Sequence, residues 1–256
     1  MSRVAVISGG AGGLGQAFAA ELLKEHWRVV LTDLPGALAA LPTGDERIEQ
    51  IACDLTDEAA VAAVCADISV RYPALDLVIH NAGVTQIDLF DETTLASQRL
   101  VMEINYFGSV RVAAGLLQAV RRARGTHIAV SSVAGFAPLN RRTAYAASKH
   151  AMNGFFQSLA TEEAEYGVGV VVAAPSFVAT NPGRFETGIA GIGRPGAATD
   201  GFDEISPAQA AKTILDGWRR GKRFVPVGRV AWMAWMINRL SPGLYIRLMR
   251  RKIRNS

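Results

Sequence analysis

The chain has 256 residues, half of them hydrophobic, enough to bury one substantial core, and α/β units of this length often stay undivided. Two cysteines, Cys53 and Cys65, twelve positions apart, exclude both a disulfide framework and a C-x-x-C redox pair and point to a reducing cytoplasm. The formal charge of +4 hides an asymmetry: residues 217–256 carry 11 of the 27 Lys and Arg and none of the 23 Asp and Glu, so a basic tail follows an acidic body.

The first apolar run, Val4 to Ile7, is too short for a signal-peptide core, so the mature fold is expected to begin near Met1 with a strand over 3–8. That strand runs into Ser8-Gly9-Gly10-Ala11-Gly12-Gly13-Leu14-Gly15 and a helix over 13–25. Glycines let the backbone turn sharply and approach a pyrophosphate, and the helix N-terminus offers free N–H groups and a favourable dipole. A glycine cluster alone is weak evidence; its place between a strand and a helix makes it a dinucleotide loop. A second strand, 28–33, ends on Asp33, 18 residues after Gly15, where a carboxylate can accept hydrogen bonds from adenosine ribose hydroxyls and would repel a 2′-phosphate. Leu34, Pro35 and Gly36 offer no cation, so NAD is expected in preference to NADP; the alternative makes Asp33 a turn former or helix cap.

Further along, strands are expected at 47–52, 75–80, 125–131, 168–174 and 222–226, with helices at 57–71, 97–123, 143–166 and 206–220. Apolar strands alternating with helices make an α/β fold: a doubly wound seven-stranded parallel sheet with helices on both faces, in one Rossmann-type domain over 1–228. Residues 181–205 are Gly-rich, lack a helical stripe, and read as a substrate lid rather than a linker; Ser206 and Pro207 suit the cap and first turn of the next helix.

Several polar residues fall at strand ends or on helices facing one sheet edge. The fourth strand ends in His80-Asn81-Ala82-Gly83, Asn105 lies in the helix over 97–123, and Ser132 follows the fifth strand in Val130-Ser131-Ser132-Val133-Ala134-Gly135. Tyr145 and Lys149, 13 and 17 residues after Ser132, share a helix face, so the ammonium can draw the phenol's pKa towards a working range. A Tyr and a Lys four apart occur by chance on many helices; the company of the other residues gives the pair meaning.

Taken together, these motifs resemble the classical short-chain dehydrogenase/reductase family over nearly the whole chain. Its Thr/Ser-Gly-x-x-x-Gly-x-Gly pattern matches at Ser8, Gly9, Gly13 and Gly15, its Asn-Ala-Gly at Asn81, Ala82 and Gly83, and its Tyr-x-x-x-Lys at Tyr145 and Lys149. The resemblance implies hydride transfer between NAD(P) and an alcohol or carbonyl, with Tyr145 as acid/base, Lys149 tuning it and binding the nicotinamide ribose, Ser132 holding the substrate oxygen, and Asn105 holding a water on a proton path to solvent. Cofactor contacts are implied for Ser8, Gly9, Gly13, Leu14, Gly15, Asp33, Leu34, Asp54, Leu55, Asn81, Ala82, Gly83, Tyr145, Lys149, Pro175, Val178 and Thr180. Asp54 matches an acidic residue beside the adenine, although it could instead cap the next helix.

Two positions depart from the family pattern: Pro175-Ser176 replaces the usual Pro-Gly, which puts the local turn in question, and His80 replaces Asn, more simply as a hydrogen-bonded structural group than a second acid/base. The four histidines show no metal-ligand spacing, so no catalytic metal is expected.

The tail, 229–256, reads as two helices parted by Ser241-Pro242-Gly243, with Trp232, Trp235 and Tyr245 among arginines and apolar runs too short to span a bilayer. It suits either peripheral contact at the inner membrane surface or packing over the pocket or another subunit. Nucleic acid is not expected, because no recognition module accompanies the charge. Phe136, Leu139 and Phe177 near the catalytic residues favour a lipophilic substrate of steroid, retinoid, prenol or fatty-acyl type. Family habit implies a homodimer or homotetramer through helices 97–123 and 143–166. Other readings are a nicotinamide-binding sensor or membrane-attached scaffold, which the intact Ser132, Tyr145 and Lys149 oppose, and a sugar-nucleotide epimerase, whose glycine spacing is absent.

Overall fold

Unbroken runs of Val, Ile and Leu suit strands covered on both faces, and the computed structural model, which describes residues 2–42, 44–180, 191–193 and 204–254, places them so. The strands are β1 (Val4–Ser8), β2 (Arg28–Asp33), β3 (Ile48–Ala52), β4 (Leu77–His80), β5 (Thr126–Val130), β6 (Gly169–Pro175) and β7 (Phe224–Val227). Every neighbouring pair is parallel, in the order β3-β2-β1-β4-β5-β6-β7. Order reverses between β1 and β4, and there Ser8 stands beside His80 in register. Such a reversal opens the crevice in which doubly wound sheets bind ligands.

Helices α1 (Gly13–Leu23) and α5 (Pro207–Arg219) cover one face through Phe18, Leu22, Ile214 and Leu215. The other face is covered by α2 (Glu58–Arg71), α3 (Leu95–Ala123) and α4 (Thr143–Glu162), through Val61, Ile68, Leu116, Met152 and Phe156. Helix α3 is long and apolar enough to cross a bilayer, yet Val112, Ala113, Leu116 and Val120 are buried in the core. Its start is two residues earlier than expected because Thr94 Oγ1 accepts from Ser97 N at 3.1 Å. Ser206 caps α5 as expected, accepting from Gln209 N at 3.2 Å ahead of Pro207. A C-terminal extension, α6 (Arg229–Leu240) and α7 (Pro242–Arg254), completes the Rossmann fold.

Most of the expected lid lies outside the described residues. Its described parts are not irregular: Ile192–Gly193 pairs antiparallel with Thr85–Gln86, and Glu204–Ile205 pairs parallel with Phe177–Val178. Two-residue bridges carry no periodic signal, which is why the sequence read as loop.

Beneath the crevice, His80 Nε2 and His127 Nδ1 lie 3.0 Å apart, both fully buried, with Phe156 tilted against the His80 ring. Their other ring nitrogens have no partner among the described residues. Burial holds both imidazoles below their ordinary range, His127 to about 4. An unfolded histidine takes its proton near pH 6.5, so stability is complete above that pH and is lost as the pH falls towards 4. For His127 alone the loss is about 3 kcal/mol. Denaturant midpoints should therefore drop between pH 6.5 and 4, and His127→Leu should flatten that slope; a slope unchanged in the variant would contradict this account.

Candidate active site

Glycine loop and strand ends interlock at the carboxyl edge. Gly9 has φ +66° and sits so close to the neighbouring strand end that a Cβ would lie 2.6 Å from Ala82 Cα. Asn81 Nδ2 donates to Gly9 O at 2.9 Å, and Ser8 Oγ accepts from Asn81 N at 3.2 Å and Ala82 N at 3.4 Å. Asn81 thus latches β4 to the loop. Gly13 lets the start of α1 approach Thr180, where a Cβ would be 3.0 Å from the Thr180 carbonyl oxygen. No side chain caps the start of α1, and Leu14 and Gly15 are buried in its first turn. A close-packed turn of bare backbone ahead of an uncapped eleven-residue helix fits a dinucleotide pyrophosphate.

Asp33, at the end of β2, accepts from Ala11 N at 2.9 Å and from Leu34 N at 2.8 Å, while the Leu34 side chain is exposed. The carboxylate thus braces the glycine loop from the end of β2, and the cap of the short helix Pro35–Leu38 is Leu34 rather than Asp33. Asp54 does not cap α2; Thr56 N and Oγ1 donate to it at 2.9 and 2.8 Å, and Asp57 accepts from Ala60 N at the cap. Leu55 is buried, and its carbonyl accepts from Arg111 Nη1 at 3.0 Å. Pro175 ends β6 and Val178 is buried beyond it. Ser176 is not among the residues with positive φ; its N donates to Val227 O at 3.1 Å and its Oγ to the same oxygen at 3.3 Å. The turn therefore needs no glycine, and the doubt raised by the missing Pro-Gly is resolved.

Tyr145 and Lys149 lie in the first two turns of α4, and the Lys149 Nζ stands 5.9 Å from the Tyr145 ring centroid. Lys149 is 4% exposed and donates to Val130 O at 2.9 Å. Burial pulls its pKa down to about 8, with no carboxylate paired to it among the described residues. The Tyr145 phenol is pushed up by burial, against the opposing pull of a hydrogen bond with Ser132 and of the Arg142 guanidinium. This differs from the downward shift expected from Lys149, whose charge does not contribute: desolvation outweighs the pulls of Ser132 and Arg142. Ser132 caps the turn Val133–Gly135, its Oγ accepting from Ala134 N at 3.2 Å.

Asn105 occupies a π-helical turn, Glu103–Phe107, within α3. Its side chain is wholly engaged: Oδ1 accepts from Val84 N at 2.8 Å, and Nδ2 donates to Val84 O and Ser148 Oγ, each at 2.9 Å. Gly83 is pinned between this amide and Lys149, since a Cβ there would lie 3.0 Å from Asn105 Oδ1 and 3.6 Å from Lys149 Nζ. Two contributors escaped the sequence reading. Ser148 receives Asn105 Nδ2 and donates to Tyr145 O at 2.8 Å; Asn153, one turn beyond Lys149, donates to Gly135 O at 2.8 Å and ties the Ser132 turn to α4. Their spacing of three and four from Tyr145 and Lys149 was the available signal.

The short chain dehydrogenase family model matches residues 3–186. "Dehydrogenase/reductase SDR family member 7B" of Bos taurus is 31% identical over 271 residues, spanning 99% of this chain and 82% of that protein. Momilactone A synthase of rice is 32% identical over 197 residues, spanning 74% of this chain and 71% of that protein. Among solved structures, a short-chain dehydrogenase from Streptomyces avermitilis aligns with TM-score 0.80 and 26% identity over 100% of this chain and 98% of its own. One from Burkholderia cenocepacia, in complex with NADP, aligns with TM-score 0.84 and 21% identity over 97% of each chain. The chain belongs to the short-chain dehydrogenase/reductase family and is an NAD(P)-dependent oxidoreductase.

Asn105→Ala should leave the Val84 N–H and C=O unsatisfied and lower unfolding free energy by on the order of 3 kcal/mol, read by urea denaturation. A loss below about 0.5 kcal/mol would mean that the amide is dispensable to the crevice.

Proposed function

We propose that the protein interconverts a lipophilic secondary alcohol and its ketone, with NAD preferred over NADP. The observation that carries this reading is the meeting of Tyr145 and a buried Lys149, its Nζ 5.9 Å from the phenol ring, with Ser132 close enough to ease ionisation of that phenol, in one crevice that also holds the glycine loop. Bound there, a nicotinamide ring supplies the hydride acceptor for oxidation and the donor for reduction.

Ser132 holds the substrate oxygen against the phenol. Tyr145 Oη gives its proton to the carbonyl oxygen during reduction and takes the hydroxyl proton during oxidation. Lys149, as an ammonium, lowers the energy of the phenolate that oxidation creates and is placed to meet the nicotinamide ribose. Asn105 acts by holding Val84 and Gly83 beside Lys149. A water on a proton path past Asn105 would donate to one of its oxygens, because both amide N–H groups are engaged. The adenine side is assigned to Asp54 and Leu55, the ribose to Asp33, and the carboxamide to the Val178–Thr180 segment. NAD is favoured by the Asp33 carboxylate and by the absence of a cation in Leu34-Pro35-Gly36.

Support for a lipophilic substrate comes from half-buried Phe136, Leu139 and Phe177 in the segments that follow Ser132 and Pro175.

Because the free phenol is raised, it is protonated at neutral pH, ready for reduction, whereas oxidation needs it ionised. For oxidation, kcat/KM should climb with pH on the alkaline side, and the reductive rate should fall there. Ser132→Ala removes a pull on the phenol and should move that limb to higher pH as well as lowering kcat. Tyr145→Phe should cut turnover by about 10²–10⁴-fold while cofactor affinity, followed by nicotinamide fluorescence, is kept. Retained turnover in Tyr145→Phe would end the catalytic assignment. Asp33→Ala should shrink the NAD-over-NADP affinity ratio by at least about tenfold; an unchanged ratio would mean that Asp33 serves only the loop. Long-chain or polycyclic alcohols should exceed small polyols in kcat/KM, and the reverse ranking would reject the lipophilic pocket.

A further inference from the structure

Helices α6 and α7 present two very different sides. Their inner side is accounted for: Ala231, Ala234 and Tyr245 are buried against Val133 and Ala137, and Asn238 Nδ2 donates to Phe136 O at 2.6 Å. This clamp fixes the orientation of the pair and seats it on the turn that follows Ser132. On the outer side, large apolar side chains face solvent, with Trp232 53% and Leu240 77% exposed, joined by Met233, Leu244, Ile246 and Leu248. A lone exposed leucine needs no explanation, but six large apolar groups on two consecutive short helices do.

The charges around them indicate what covers this side. Residues 229–256 hold seven of the 27 Lys and Arg and none of the 23 Asp and Glu. Arg239 and Arg247 are exposed on the same two helices, Arg239 with its guanidinium 5.4 Å from the Trp235 ring centroid. A second copy docked by two-fold symmetry would press this cationic surface onto itself. An anionic lipid surface answers both features, because acyl chains take up Trp, Met and Leu while headgroups neutralise Arg and Lys. We propose that the outer side of α6 and α7 is a peripheral membrane-binding surface for anionic lipid, which sets the Ser132 crevice one helix thickness from the bilayer. The surface stands on exposure and charge and is independent of the substrate proposed above.

The test uses the full chain with vesicles of phosphatidylcholine alone or with about a third phosphatidylserine, followed by co-sedimentation. Binding to the anionic vesicles should be at least about tenfold tighter than to the neutral ones, and should weaken as salt rises from about 0.1 M to about 0.5 M. The variant Trp232→Ser/Leu240→Ser/Leu244→Ser should lose at least about tenfold in vesicle affinity while keeping its dehydrogenase rate on a water-soluble alcohol or ketone and its mass by light scattering. Arg247→Glu should weaken anionic-vesicle binding by at least about fivefold and leave neutral-vesicle binding unaltered. Equal binding to both vesicle types, or unimpaired binding by the triple variant, overturns the proposal. A fall in mass on making the triple variant also overturns it, by showing that a second copy covers this side.

Discussion

A buried ammonium held by a main-chain carbonyl and a thioether sulfur, Val130 O and Met152 Sδ, is the constraint around which the crevice is arranged. Lys149 lies at the heart of the molecule with Val130 O as its oxygen partner, so α4 cannot slide along β5 without stranding a charge in a low-dielectric interior. That contact couples a helix carrying Tyr145 to a strand that runs into Ser132. The same burial that makes the cation costly draws its pKa to about 8, close to where proton exchange at neutral pH is useful.

Around that contact, polar side chains tie separate segments of backbone to one another. Asn105 grips both main-chain groups of Val84, Asn81 grips Gly9, and Asn153 grips Gly135. Asn81 joins two strand ends, whereas Asn105 and Asn153 each tie a helix to the segment that follows a strand. An amide serves there because it both donates and accepts without carrying charge, so it can satisfy backbone groups that a turn leaves free without burying an ion. Directly below, the uncharged His80–His127 pair fills the space between β4, β5 and α4. In such a site a titratable group acts as packing, and its chemistry appears only at acid pH.

At the C-terminal end, α6 and α7 connect the turn after Ser132 to the protein surface. Phe136 is held by Asn238 from one side, while its ring lies edge-on to Phe224, which stacks in turn on Trp235. The extension is thus continuous with the core and with the wall of the crevice.

Read alone, the sequence determined the order and kind of the main elements, because strands buried on both faces and amphipathic helices leave periodicities of hydrophobicity that need no tertiary information. It also determined the glycine loop and the shared face of Tyr145 and Lys149, since both depend on spacings within a few residues. Only the tertiary structure decided what each polar group does. Asn105 proved to hold Val84 with its amide, Asp57 rather than Asp54 caps α2, Ser176 sits comfortably where glycine is usual, and the Tyr145 phenol is raised rather than lowered. These outcomes rest on desolvation and on partners that lie elsewhere in the chain or on a local turn geometry with alternatives. A residue's neighbours in sequence do not say which it will meet.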